Sequence, residues 1–262
     1  MTIDIEGAAD LINDVYLGAP PIAPLRDRFQ PADIGTAYAI QEANTARWLA
    51  EGKKLTGRKI GLTSKAVQQQ LGVDQPDYGM LFDTMRVGEG EEIAFASISQ
   101  PRIEGEIAFV LGRDLDREDI TSSELVDAID YAIAAFEVVG SRIRNWDIKI
   151  FDTIADNASS GKYLLGLERK LLKNLDLLEC VMEIEHRGRV VSAGDGAACL
   201  GSPLNAALWL ANKMVETGRP LKCGDTIMSG ALGPVVPVSP DGVYDLAISG
   251  LGSVRAVFRN DT

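Results

Sequence analysis

The chain has 262 residues, 46% hydrophobic and 24% charged, enough to bury a substantial core as one large domain or two smaller ones. Its 26 basic and 38 acidic side chains leave a formal net charge of -12, which argues against the basic face that nucleic acid or an anionic membrane requires. There is no apolar run of about eighteen residues, the N-terminus lacks a basic-then-apolar leader, and Cys180, Cys199 and Cys223 are widely spaced, so the sequence predicts a cytoplasmic protein with three small buried thiols.

In chain order, the first third reads as helical. Residues 32–52 place Ile34, Tyr38, Ile40, Ala43 and Trp48 at helical spacing, with Gly52 as the stop. LTGRKIGLT, from Leu55, reads as a strand, and Ser64 is positioned to cap a short helix over residues 65–72. VDQPDYGML, residues 73–81, carries the Pro, Asp and Gly of a loop. A soft boundary at residues 85–92 divides an N-terminal α/β region (1–88) from a larger body (89–262). TSSELVDAIDYAI, residues 121–133, predicts a helix opened by a Thr121/Glu124 capping box. SPLNAALWLANKMVETG predicts another, capped by Ser202, begun by Pro203 and stopped by Gly218. CVMEIEHRGRVVSAG reads as a hairpin turning at residues 186–188, and DTIMSGALGPVVPV, VYDLAIS and SVRAVFR as further strands. The sum is an α+β chain, a helical N-terminal region ahead of a strand-rich body.

One stretch conflicts with its own strand pattern. In PRIEGEIAFVL, residues 101–111, period-two geometry sends Arg102, Glu104, Glu106, Ala108 and Val110 to one face. Ile103, Gly105, Ile107, Phe109 and Leu111 point to the other, where the smallness of Gly105 serves packing. Neighbouring carboxylates repel, and burial raises the cost unless a cation lies between them. A hard divalent ion such as Mg2+ or Mn2+ suits carboxylate oxygens, while a solvated strand face fits the alternation equally well. Glu137 adds weight to the cation, because it stands in the apolar run AIAAFEVVG, where an unpaired carboxylate is costly. Its partner is either a metal shared with Glu104 and Glu106 or an arginine, Arg142 or Arg144. The only histidine, His186, falls at a hairpin tip, which removes Ser-His and Cys-His mechanisms. GALGPV lacks the strand–turn–helix context of nucleotide binding and reads as a turn beside the site.

RIEGEIAFVL and AFEVVGSRI resemble the E-x-E and distal Glu metal motif of the fumarylacetoacetate hydrolase superfamily. IAPLRDRF, GRKIGLTSKAVQQQLGVDQPDYGMLF, GSRIRNWDIKIFDTIADNASSGKYLLG, LGSPLNAALWLANKM and GDTIMSGALGPVVPV narrow the resemblance to its 2-hydroxypenta-2,4-dienoate (2-keto-4-pentenoate) hydratases of aromatic meta-cleavage catabolism, across nearly the whole chain. The resemblance implies a fumarylacetoacetase C-terminal-like fold, a small N-terminal α/β region on a β-rich mixed-sheet roll. It implies Glu104, Glu106 and Glu137 as ligands of one Mg2+ or Mn2+, in a hydro-lyase that ketonises the dienol and then adds water. It also puts three further residues in the active site. Lys59 is either lowered in pKa by burial or holds the substrate carboxylate, Asp77 relays the proton, and Ser160 hydrogen-bonds substrate or water. On residues alone, Lys59 reads as a strand-end cation and Asp77 as a turn residue.

The sister 4-oxalocrotonate (2-oxo-3-hexenedioate) decarboxylases are the nearest alternative, followed by a hydratase for a longer 2-oxo-enoate or dioate. A catalytically silent assembly partner is the reading from a different class. The partners implied are a small 2-hydroxydienoate or 2-oxo acid substrate, further copies of the chain in a homo-oligomer, and a complex with the sister decarboxylase or the downstream aldolase.

Overall fold

The helices are capped where the sequence places capping residues. The computed structural model describes residues 4–65, 68 and 73–260. Its helices are α1 (Ile5–Tyr16), α2 (Ile34–Ala50), α3 (Ser122–Ala128), α4 (Ile150–Ala155) and α5 (Pro203–Glu216). Asp4 and Asp33 accept the N–H groups of Gly7 and Thr36 to open α1 and α2. The Thr121/Glu124 capping box opens α3, and Ser202 caps α5 ahead of Pro203. The helix expected over residues 65–72 falls largely outside the described residues. Among the described residues, no helix is long and apolar enough to cross a membrane.

The strands form two sheets. The larger contains β1 (Leu55–Gly61), β2 (Asp77–Phe82), β3 (Arg86–Val87), β5 (Arg102–Leu111), β6 (Ile129–Val139), β7 (Lys162–Leu165), β10 (Thr226–Met228) and β11 (Val236–Pro237). Their order is β2-β1-β10-β5-β6-β7-β3, with β11 against β5. The smaller sheet runs β4 (Ile93–Ala94), β13 (Gly252–Arg259), β12 (Val243–Ile248), β8 (Val181–His186), β9 (Arg189–Asp195). β1 pairs with β10, β3 with β7 and β4 with β13 in parallel, so both sheets are mixed. The smaller sheet packs over β5 and β6, and their facing side chains, among them Ile107, Phe136, Met182 and Leu246, make the main core. Gly105 lies on this face. A Cβ there would stand 2.7 Å from Leu246 Cδ1 and 3.0 Å from Met182 Sδ, so its missing side chain lets the sheets close, as the alternation predicts.

α1, α2 and α4 enclose a second apolar cluster that includes Ile12, Ile40 and Phe151. Buried Gln41 of α2 donates to the Tyr78 and Ile154 carbonyls, tying this cluster to β2 and α4. β1 and β2 come from the N-terminal side of the boundary expected at residue 88, and the larger sheet therefore spans it.

Three local expectations need correction. The loop expected at residues 73–81 becomes β2 from Asp77 onward, every residue of it buried and paired antiparallel with β1. Pairing and burial override its turn-forming composition. The helix expected to reach residue 133 stops at Ala128, because Ile129 and its successors pair with β5 as β6. Cys180 and Cys199 are buried, but Cys223 is exposed in the turn before β10.

Candidate active site

The β5–β6 ladder sets Glu104 directly opposite Glu137, with Glu106 opposite Ala135. Strand alternation brings Glu106 to the same face as Glu104, and one carboxylate oxygen from each of the three lies within 4.8 Å of the others. Glu106 and Glu137 are fully buried, whereas Glu104 keeps some exposure to a cavity. Glu106 Oε2 accepts the Gly230 N–H at 2.8 Å, which places the glycine-rich turn beside the cluster. Among the described residues, Glu106 Oε1 and both Glu137 oxygens make no hydrogen bond.

Glu137 has a cationic neighbour, and it is neither arginine considered from the sequence. Arg142 is committed to buried Asp156, and Arg144 reaches the Pro21 carbonyl. Instead β1 delivers Lys59, whose Nζ lies 3.3 Å from Glu137 Oε2, close enough for an ion pair but not oriented for a hydrogen bond. Asp77, the first residue of β2, sits opposite Gly61 in the adjoining ladder. A Cβ at Gly61 would fall 2.2 Å from Asp77 Oδ1, so that position reserves space for the carboxylate. Both Asp77 oxygens are buried and unbonded among the described residues.

Burial dominates the electrostatics. It raises Glu106 well above the usual carboxylate range, with repulsion from Glu137 and Glu104 adding to it. Glu104, more open, is raised to about 7 by burial and by Glu137, against the opposing pull of Lys59. Glu137 is also raised by burial, with Lys59 opposing. Asp77 is pushed up to about 6 by burial, again against Lys59. Burial alone would lower Lys59, but Glu137, Asp77, Glu104 and Glu106 outweigh it and hold the ammonium above its ordinary value. These neighbours favour the charged form of Lys59 over a neutral amine. Three hard oxygen donors, three orphaned oxygens and mutually raised pKa values fit a divalent cation, which would satisfy all of them at once.

The cavity beside this cluster measures about 590 Å³. Lys59, Asp77, Glu104 and Ser159 give it polar walls, and Val139, Ile148 and Val235 apolar ones. Ser160 is fully buried and donates its hydroxyl to the Asn157 carbonyl at 2.7 Å. Its neighbour Ser159 lines the cavity, with its hydroxyl 3.2 Å from Thr153 Oγ1. Asn157, Ala158 and Ser159 all have left-handed backbone, at φ 52°, 50° and 57°. The Asn157 side chain clasps the Met80 N–H and carbonyl, and Arg142 holds both Asp156 and the Ser160 carbonyl. Sequence reasoning missed Ser159, Arg102 and Trp146 as cavity residues. Only Arg102 carried a signal, because alternation put it on the face of Glu104. His186 ends β8, stacked on Tyr244, where its lone imidazole serves the hairpin.

Two mixed sheets that gather carboxylates from adjacent strands into one buried cluster define a protein of the fumarylacetoacetate hydrolase type. The chain belongs to the fumarylacetoacetate (FAA) hydrolase C-terminal family, whose model matches residues 42–259. It is 56% identical over 254 residues to the TodF product hydratase of Pseudomonas putida, covering 97% of this chain and 95% of that one. It is 55% identical over 253 residues to 2-keto-4-pentenoate hydratase 2 of Dechloromonas aromatica, with 97% of each covered. A solved structure of 4-oxalocrotonate decarboxylase from Pseudomonas putida, complexed with magnesium and adipate, aligns with a TM-score of 0.93 at 35% identity over 97% of each chain.

Proposed function

We infer that the chain is a metal-dependent hydro-lyase that hydrates 2-hydroxypenta-2,4-dienoate to 4-hydroxy-2-oxopentanoate in aromatic meta-cleavage catabolism. The observation that carries this reading is the convergence of Glu104, Glu106, Glu137, Lys59 and Asp77 beside one cavity, in a chain more than half identical to named hydratases. The reaction takes a proton at C5 as the dienol ketonises, and then adds hydroxide at C4 and a proton at C3. Negative charge gathers on the C2 oxygen in both steps. Held by Glu104, Glu106 and Glu137, a Mg2+ or Mn2+ ion supplies Lewis-acid stabilisation of that charge.

The remaining work falls to the chain's own side chains. The Lys59 ammonium adds positive charge beside Glu137, where the 2-oxo acid end of the substrate binds. Asp77, raised to about 6, exchanges protons near neutral pH and serves as the relay. Val139, Ile148 and Val235 shelter the hydrocarbon part of the substrate. Ser160 holds the turn of residues 157–159 through the Asn157 carbonyl, so that Ser159 presents its hydroxyl to substrate or water. The same reading makes the enzyme a cytoplasmic homo-oligomer, its assembly checked by light scattering.

The test is hydration of freshly generated 2-hydroxypenta-2,4-dienoate with Mg2+ or Mn2+, followed by the loss of absorbance of the conjugated acid. Full activity in EDTA overturns the metal mechanism. The 35% identity to a decarboxylase complexed with adipate favours one second reading, decarboxylation of 2-oxo-3-hexenedioate. Release of CO2 from that acid, with no hydration of the pentadienoate, selects it.

A further inference from the structure

Arg102 carries a charge that the proposed chemistry does not use. It precedes Glu104 by two residues on β5, so both side chains leave the strand on the same face, and both line the cavity. The guanidinium carbon lies 4.3 Å from the centre of the Trp146 ring, which also lines the cavity. Among the described residues, no carboxylate comes within 4.0 Å of its nitrogens to form an ion pair, and its side chain donates no hydrogen bond. Stacking on an indole fixes the guanidinium plane while leaving the N–H groups at its edge unspent. Those donors form a flat fork that matches a carboxylate.

The indole behind it is held by a built scaffold. Asn145 and Trp146 are both left-handed, at φ 60° and 55°, a conformation that costs free energy in non-glycine residues. Trp146 Nε1 donates to the Gln100 carbonyl at 3.0 Å, and Gln100 Oε1 accepts the Asn145 N–H at 2.7 Å. Gln100 Nε2 in turn donates to the Ser141 and Ile143 carbonyls at 2.8 and 2.7 Å. Arg26 pins the segment that follows, through Asp147 and Asp152, each at 2.6 Å. The strained turn is thus locked in the one arrangement that sets Trp146 behind the guanidinium.

We propose that Arg102, backed by Trp146, is a specificity-determining residue that receives a carboxylate of the substrate inside the cavity. This rests on reading the cavity as the site of a 2-oxo acid. The carboxylate has two sources, the C1 group that every 2-oxo acid carries and a second group at the far end of a dioate.

The experiment measures binding rather than turnover. Mg2+-loaded wild type and R102Q are titrated calorimetrically with 2-oxohexanoate and with 2-oxohexanedioate, which share the same head and differ in the far carboxylate. R102Q is expected to weaken at least one of them by about tenfold or more, the scale of a lost charge-assisted hydrogen bond. Equal loss for both supports C1 as the source, and loss confined to the dioate supports the far end. R102K, which keeps the charge but not the fork, is expected to fall between. Binding of both acids by R102Q within about twofold of wild type overturns the proposal, even where Mg2+ affinity changes, since Arg102 then merely balances Glu104. Wild type that binds neither acid overturns the cavity reading and this proposal together, whereas failed hydration of the pentadienoate touches only the assigned reaction. A second measurement needs no variant. Saturating 2-oxo acid is expected to protect Arg102 from phenylglyoxal, read by mass spectrometry, and undiminished labelling overturns the assignment.

Discussion

Lys59 Nζ stands 3.3 Å from Glu137 Oε2, and both groups are buried beside three further carboxyl groups, Glu104, Glu106 and Asp77. Removing one partner of a buried pair costs about 3–5 kcal/mol, because the other is left uncompensated. K59M is therefore expected to melt below wild type in EDTA, to recover much of that loss on addition of Mg2+, and to hydrate no substrate. Thermal unfolding with and without the cation measures this. A deficit that Mg2+ leaves untouched would mean that Lys59 serves the fold rather than the charge balance of the site.

The raised carboxyl groups make a pH prediction for the metal-free protein. Asp77 stands near 6 and Glu104 near 7, with Glu106 and Glu137 also raised, all by burial first. A carboxyl with a raised folded pKa binds more protons folded than unfolded. Its contribution is complete below the ordinary value near about 4 and is lost as pH climbs through the folded value. EDTA-treated protein should thus lose the contributions of Asp77 and Glu104 between about pH 4 and about pH 7, with Glu106 and Glu137 acting in the same direction. Mg2+ displaces their protons, so its stabilisation should be larger at about pH 8 than at about pH 5.5. Denaturant unfolding at the two pH values gives the difference, and calorimetry in buffers of unlike ionisation enthalpy counts the protons released on binding. Metal stabilisation that shrinks as pH rises contradicts the raised carboxyl groups of the metal-free cluster.

What could be read from the sequence followed how local each signal is. The E-x-E pair is a period-two feature of one strand, so its common face and the packing role of Gly105 were legible before any fold was known. The hairpin of β8 and β9 and the caps of α5 are equally local. That Glu104 faces Glu137 is a matter of register between strands, and that Lys59 rather than Arg142 reaches Glu137 depends on how the sheet closes. Neither has a local signature, and the family resemblance named this group of residues without their contacts. β2 is hidden by Pro76 just ahead of it and by its own Asp77 and Gly79, which serve burial and close approach here instead of a turn. Trp146 enters the cavity through two left-handed residues that no spacing rule foretells.

Glu106→Gln separates metal binding from folding. Glu106 Oε2 accepts the Gly230 N–H, and a glutamine carbonyl can keep that bond. The substitution removes one of three repelling carboxylates, so the metal-free variant should be as stable as wild type or more so. It should also lose most of its stabilisation by Mg2+ and nearly all hydratase activity. Parallel melts in EDTA and in Mg2+ test both halves, and strong destabilisation of the metal-free variant would mark Glu106 as part of a structural ion pair.

Two glycines of the larger sheet, Gly105 on β5 and Gly61 on β1, should respond in opposite ways to the same added methyl. At Gly105 the new Cβ meets the ends of the Leu246 and Met182 side chains on the core face, at 2.7 and 3.0 Å. Those ends can shift, so G105A should cost about 1–3 kcal/mol of stability, as overpacking does. It should leave the activity per folded molecule near that of wild type, because the carboxylates lie on the other face. At Gly61 the Cβ would fall 2.2 Å from Asp77 Oδ1 and 3.5 Å from Lys59 Nζ. The Asp77 carboxylate must then move, and with it the proton relay. G61A should accordingly lose most of its kcat while melting close to wild type, and a fully active G61A would remove Asp77 from the mechanism.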